Sequence, residues 1–152
     1  MYDFIDRPVT SLNRGGRMLV WAMRHWVRAV QIGRCPCGDI RPAFDGKALG
    51  AAFPHFHVMM AVLNRHAVEK MRFGPVDCER VSEHEALVLS MLRAACGPDL
   101  AQAERTASLI VARAQVTHLL VPMAALAHAL AGASRLPAGP IFDPDCARFS
   151  NE

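Results

Sequence analysis

Residues 34 to 42, RCPCGDIRP, place two cysteines one residue apart, with a proline between them and a glycine after them. Thiolates are soft ligands that select zinc or iron. Cys78, together with His84 a few residues later, would complete a Cys3His set with Cys35 and Cys37. The pattern therefore predicts either a zinc site at this loop or a tight turn in which small cysteines are only packed.

The same stretch is compatible with two other chemistries. Cys35-Pro36 matches the dipeptide of haem regulatory motifs, in which a cysteine thiolate is an axial ligand of haem. A disulfide between Cys35 and Cys37 would close a very small ring that is easily reduced, as in a redox switch. A redox sensor or small enzyme would use Cys35, Cys37 or Cys78 as a thiol of low pKa. Zinc is the expected cofactor, ahead of iron or haem.

Other catalytic patterns are missing from the sequence. It contains no Gly-rich phosphate loop, no Gly-x-Ser-x-Gly elbow and no His-Glu-x-x-His pair. It also lacks the Glu-x-x-His pair of carboxylate-bridged di-iron bundles. We therefore assign no catalytic residue and expect a protein that is not an enzyme.

Positive charge is concentrated in the first third of the chain. Residues 1 to 50 hold eight Lys or Arg against four Asp, a net charge of +4, whereas the whole chain carries +3. Four arginines lie on the polar side of the first predicted helix: Arg14, Arg17, Arg24 and Arg28. Arginines in this arrangement can neutralise phosphates, so nucleic-acid binding through this face is an alternative function.

The elements that position these residues are predicted to be helices, because apolar residues recur at three- and four-residue spacing and strand signals are nearly absent. The first helix ends at Ile32, before Gly33. A second begins near Pro54 and continues to Met71, before Gly74 and Pro75. Ser82 and Glu85 form a capping box at the start of the third. The fourth helical region runs from Leu100 to about Ala131, where Pro122 should kink or divide it.

These signals predict an all-α, single-domain bundle of four to five helices with a long Cys/Gly/Pro loop after the first helix. The 152 residues, 52% of them hydrophobic, suit one domain with a real core. Within it, residues 1–10 are expected to form an extended N-terminal arm. Residues 34–53 should form the long loop, and residues 133–152 an extended C-terminal tail.

Residues 114 to 134 carry no formal charge and approach the roughly 20 residues that a bilayer requires. Polar side chains at Gln115, Thr117, His118 and His128 favour a core or oligomer helix over a membrane span. The odd number of cysteines, five, and the acidic N-terminus argue against a secreted disulfide framework. We therefore expect a cytoplasmic protein that makes little contact with membranes.

Three segments, RMLVWAMRHWVRAV, the cysteine loop and VSEHEALVLSMLRAA, together resemble a family of small, uncharacterised all-helical proteins of alpha-proteobacteria. The resemblance covers roughly residues 17 to 130. It implies an α-helical cytosolic domain and transfers no catalytic residue. Independently of this resemblance, Trp21 on the basic face and the alanine-rich helical region indicate apolar surface that a single bundle does not cover. The leading functional prediction is a non-enzymatic interaction or regulatory domain that binds a second copy of itself or another protein, with zinc at the cysteine loop.

Overall fold

The computed structural model describes residues 3–46 and 49–138, and over these ranges it is all-α, with 66% helix and no strand. Six α-helices replace the four to five that were predicted. They are α1 (Arg14–Gln31), α2 (Cys37–Ile40), α3 (Ala52–His66), α4 (Glu83–Ala95), α5 (Leu100–Ile110) and α6 (Val116–Gly132). Short 3-10 turns at Val9–Ser11, Arg41–Phe44 and Arg113–Gln115 connect them.

The first helix, α1, begins and ends at residues whose chemistry explains both boundaries. The Asn13 side chain accepts a hydrogen bond from the backbone N–H of Gly16 at 2.9 Å, which satisfies a free donor of the first turn. Leu19, Met23 and Trp26 then bury one side of the helix. Gly33 has a φ of 74°, a left-handed conformation that terminates helices and favours glycine.

The stretch predicted as a long loop is largely folded into two short helical turns. α2 and the 3-10 turn Arg41–Phe44 occupy it, and α3 begins at Ala52, two residues before Pro54. Ile40 and Phe44 are fully buried, and the Phe44 ring lies 5.2 Å from that of Phe56. The long loop is therefore not confirmed as predicted, because Ile40 and Phe44 lie in helical turns that cover the core.

Helix α3, which corresponds to the second predicted helix, ends at His66, so the predicted continuation of that helix to Met71 is wrong. The backbone N–H of Val68 donates to the carbonyl of Ile110 at 2.7 Å, which extends the chain beside the end of α5. Further along, Asp6 and Val81 share a backbone hydrogen bond of 3.0 Å. The segment between α3 and α4 is thus held by backbone contacts to distant parts of the chain.

Helix α6 lies at the centre of the core. It packs against α3, α4 and α5 and buries Leu119, Met123, Leu126 and Leu130. The fourth helical region is divided at Val111–Gln115, whereas Pro122 lies inside α6 without dividing it.

Arg113–Gly132 is a helical stretch long and apolar enough to cross a bilayer, a criterion that core helices of soluble proteins also meet. The contacts of α6 with α3, α4 and α5 support our interpretation of it as a core helix, and 39% of this stretch is buried.

The two ends of the chain are described only in part. The predicted arm contains the fully buried Phe4 and the 3-10 turn Val9–Ser11, so it is anchored to the body. At the other end, the Asn13 side-chain amide donates to the carbonyl of Leu136 at 2.8 Å. Most of the predicted C-terminal tail, residues 139–152, lies outside the described residues.

Candidate functional site

The two cysteines of RCPCGDIRP lie at the surface between α1 and α2. Cys35 is exposed, whereas Cys37 begins α2 and is half-buried. Pro36 between them has φ −71° and ψ −17°, a helical conformation. This conformation sets the Cα atoms of its two neighbours about 5.4 Å apart, as in an α-helix. Such a separation lies inside the range that disulfides span, about 4.4–6.8 Å.

The two thiols differ in acidity. The pKa of Cys35 is lowered, because the backbone N–H and then the thiol of Cys37 stabilise its thiolate. The pKa of Cys37 is raised, first by its burial and then by its interaction with Cys35. The pair therefore consists of an exposed thiol whose pKa is lowered and a half-buried thiol whose pKa is raised.

His57 of α3 contacts the half-buried thiol of Cys37. Its Nδ1 atom lies 4.0 Å from the Cys37 sulfur and accepts a hydrogen bond of 3.1 Å from the Trp26 indole N–H. An accepting Nδ1 carries no proton, so this hydrogen bond selects the tautomer protonated on Nε2. The Phe53 ring stacks on the imidazole, with the two ring centroids 6.2 Å apart.

Sequence reasoning missed the contact of His57 with Cys37, because the two lie 20 residues apart and meet only through the fold of the intervening turns.

The four predicted zinc ligands do not come together. The Cys78 thiol donates to the carbonyl of Arg80 at 3.4 Å, and His84 Nδ1 accepts the backbone N–H of Arg72. In residues 3–46 and 49–138, no group of three or more His, Cys, Asp or Glu side chains could hold a metal ion. The predicted Cys3His set of Cys35, Cys37, Cys78 and His84 is therefore not formed, since local backbone partners engage Cys78 and His84.

The predicted arginine face loses one member. Arg14, Arg17 and Arg28 are exposed, whereas Arg24 is 4% exposed. The Arg24 guanidinium binds Glu85 through Nε at 2.8 Å and Nη2 at 3.0 Å. Including Arg24 in a nucleic-acid surface was wrong, because its charge is neutralised inside the protein.

Glu85 neutralises the charge of the buried Arg24 guanidinium. Its carboxylate is fully buried and also accepts the backbone N–H groups of Gly74 and Ser82, each at 2.8 Å. Ser82 completes the predicted capping box, which is confirmed. Arg24 in turn donates to the carbonyls of Cys78 and Arg80. This network fixes the segment before α4 and accounts for Arg24 structurally.

A second cysteine–histidine contact occurs at Cys96, whose sulfur lies 3.9 Å from His128 Nδ1. No other cysteine is near it in sequence, since Cys78 is 18 positions away. Cys96 is therefore an internal comparison for the candidate site, with an adjacent imidazole but without a neighbouring thiol.

Comparison with protein-family models, with curated proteins and with solved structures gives no match. The resemblance to the alpha-proteobacterial helical family stays a prediction. The fold alone assigns the chain to the all-α class, and its functional interpretation rests on the thiol pair.

Proposed function

We propose that this chain is a thiol-based, redox-responsive regulatory domain, in which Cys35 is the reactive thiol and Cys37 the resolving thiol. The observation that carries the proposal is the helical conformation of Pro36, which sets an exposed thiol beside a protected one. The lowered pKa of Cys35 supports the same assignment of roles. Because the thiolate is the nucleophilic form, Cys35 reacts first.

The oxidant is a peroxide. The Cys35 thiolate attacks one oxygen of the peroxide, and the O–O bond breaks. The other oxygen takes up a proton and leaves as an alcohol, or as water when the oxidant is hydrogen peroxide. Cys35 is then a sulfenic acid. The Cys37 thiol attacks this sulfur, the disulfide forms and the sulfenic oxygen departs as water with the Cys37 proton. A small-molecule or protein dithiol reverses the sequence by thiol–disulfide exchange.

Oxidation of the thiol pair would affect the packing of α2, because Cys37 belongs to this helix. Cys37 is the first residue of α2 and packs against the core, and Ile40 at the end of the same turn is fully buried. We expect a bond to Cys35 to change the position of the Cys37 sulfur relative to His57. The oxidation state of the pair is therefore linked to the position of α2, as expected of a regulatory device rather than of an enzyme.

Cytoplasmic location and association with a second copy or another protein stay predictions. A reducing compartment would keep both thiols reduced between oxidation events, which such a switch requires. Zinc as a cofactor also stays a prediction, which elemental analysis of the protein purified without chelators tests.

The experiment uses a variant in which Cys78, Cys96 and Cys146 are serine, so that Cys35 and Cys37 are the remaining thiols. Stoichiometric hydrogen peroxide should give an intact mass lower by two hydrogens, and dithiothreitol should restore the original mass. With Cys37→Ser added, the reaction should stop at a sulfenic acid that dimedone captures. With Cys35→Ser added instead, oxidation should slow by about tenfold or more, because the remaining thiol ionises poorly.

The matched control retains only Cys96, which has the adjacent His128 but no second thiol. It should react slowly and should not form an intramolecular disulfide. The proposal is wrong if Cys96 and Cys35 react at the same rate, or if peroxide produces only disulfides between two chains.

A further inference from the structure

A groove of about 710 Å3 lies between α1, α3 and the segment that follows α3. About half of its wall surface is apolar, contributed by Trp26, Val30, Met60, Leu63, Met71 and Phe73 among others. Its volume falls within the range of small-molecule sites, about 300–1,000 Å3. Met60 and Leu63 form a buried floor, whereas Val30 at the edge is 37% exposed.

The charged residues of this groove all have the same sign. Lys70 and Arg72 line it and are exposed, and no carboxylate is among the lining residues. Neither side chain takes part in any of the ion pairs among the described residues. A neighbouring hollow of about 320 Å3 shares Trp26 and Asn64 with the groove and adds Arg65, again without a carboxylate.

We propose that this groove binds a small amphipathic carboxylate, with its apolar chain against Met60 and Leu63 and its carboxylate at Lys70 and Arg72. The apolar floor supplies burial for the chain, and the methionines adapt to ligands of differing shape. Arg72 can bind a carboxylate with two parallel hydrogen bonds, and Lys70 adds a point charge. The groove shares Trp26 with the contacts around His57 but contains neither Cys35 nor Cys37, so either proposal can fail without the other.

The probe is decanoate in free solution, below its micelle concentration. The sequence contains two tryptophans, so Trp21→Phe leaves Trp26 as the sole fluorescent reporter of the groove. We expect a saturable change in Trp26 emission, confirmed by isothermal titration calorimetry. Decanol, which has the same chain without the charge, should bind about tenfold more weakly, the size expected for two exposed charge contacts. Acetate should not bind.

Three variants separate the charge from the apolar contact. Lys70→Gln with Arg72→Gln should weaken decanoate binding about tenfold and leave decanol binding unchanged. Val30→Gln should weaken both ligands to the same extent. The control is Arg105→Gln, which removes an exposed charge of α5 outside the groove and should change neither affinity.

The proposal is overturned if decanoate does not saturate, if decanoate and decanol bind equally, or if the Lys70 and Arg72 substitutions have no effect. It is also overturned if free decanoate fails to bind while phosphatidylcholine vesicles containing phosphatidylglycerol do bind, because the basic rim would then contact a membrane surface. Self-association that is lost in the Lys70 and Arg72 variant, without decanoate binding, would identify a second chain as the occupant.

Discussion

The buried ion pair between Arg24 and Glu85 allows a quantitative prediction of stability. Both side chains are removed from water, with 3% and 0% of their side-chain surfaces exposed. Burial opposes the charge of Arg24, but the hydrogen bonds and charge of Glu85 outweigh it, and the pKa of Arg24 is raised. Replacing either residue with methionine removes one partner and leaves the other charge buried. The double variant removes both charges and retains apolar volume.

Breaking a buried pair from one side costs about 3–5 kcal/mol. We expect Arg24→Met near the lower end of this range, because Glu85 keeps the N–H groups of Gly74 and Ser82. Glu85→Met should lie near the upper end, since it also leaves those two donors without their acceptor. Additive effects would sum to about 8 kcal/mol, whereas the double variant should cost about 4, because it leaves no unpaired charge and only the N–H groups of Gly74 and Ser82 lose their acceptor, a coupling of about 4 kcal/mol.

Urea unfolding followed by far-UV circular dichroism measures these differences as changes in the free energy of unfolding. Asp3→Asn is the control, because it removes an exposed ion pair to Arg93 of the same 2.8 Å length. Its urea midpoint should match that of the parent protein. Single substitutions that each cost less than about 1 kcal/mol, or a double variant whose cost is additive, would refute the assigned role of the pair.

Three further predictions address local features. Ser82→Ala should lower the free energy of unfolding by about 1 kcal/mol through loss of the capping box, again measured in urea. Gly15→Ala should lower the melting temperature, because its Cβ would stand 1.6 Å from the Arg135 carbonyl oxygen; Gly97→Ala, which meets no neighbour, should not. Alkylation of Cys35 should reach its half-maximal rate at a lower pH than alkylation of a free cysteine in solution, because the pKa of Cys35 is lowered. Cys37→Ser should move that midpoint upward, and an unchanged midpoint would contradict the contribution of the Cys37 thiol.

Helices whose boundaries are set by local chemistry were predictable from the sequence. The Ser82–Glu85 capping box and the left-handed Gly33 both lie where the sequence indicated, since each depends on residues within one turn. The boundaries that failed depend on distant partners. The apolar spacing continues to Met71, but Val68 leaves the helix to bind the carbonyl of Ile110.

Arg24 shows why the sequence alone could not distinguish the buried arginine of this face from the exposed ones. It lies seven residues after Arg17 and four before Arg28, so helical periodicity places the three on one side. Charged residues are almost never fully buried without a partner, and exposure was the reasonable expectation. The partner, Glu85, is 61 residues away. Only the packing of α1 against α4 brings the two together.

The proposed thiol site also combines a local feature with a contact between residues distant in sequence. The relation of Cys35 to Cys37 is local, because Pro36 has a restricted φ and its helical conformation alone fixes the separation of the Cα atoms. The contact with His57 is tertiary and requires the buried Ile40 turn to be in place. Partial loss of packing should therefore break the His57 contact before it separates the two cysteines. At low urea concentrations, any reaction that requires the His57 contact should therefore be lost, whereas disulfide formation between Cys35 and Cys37 should persist.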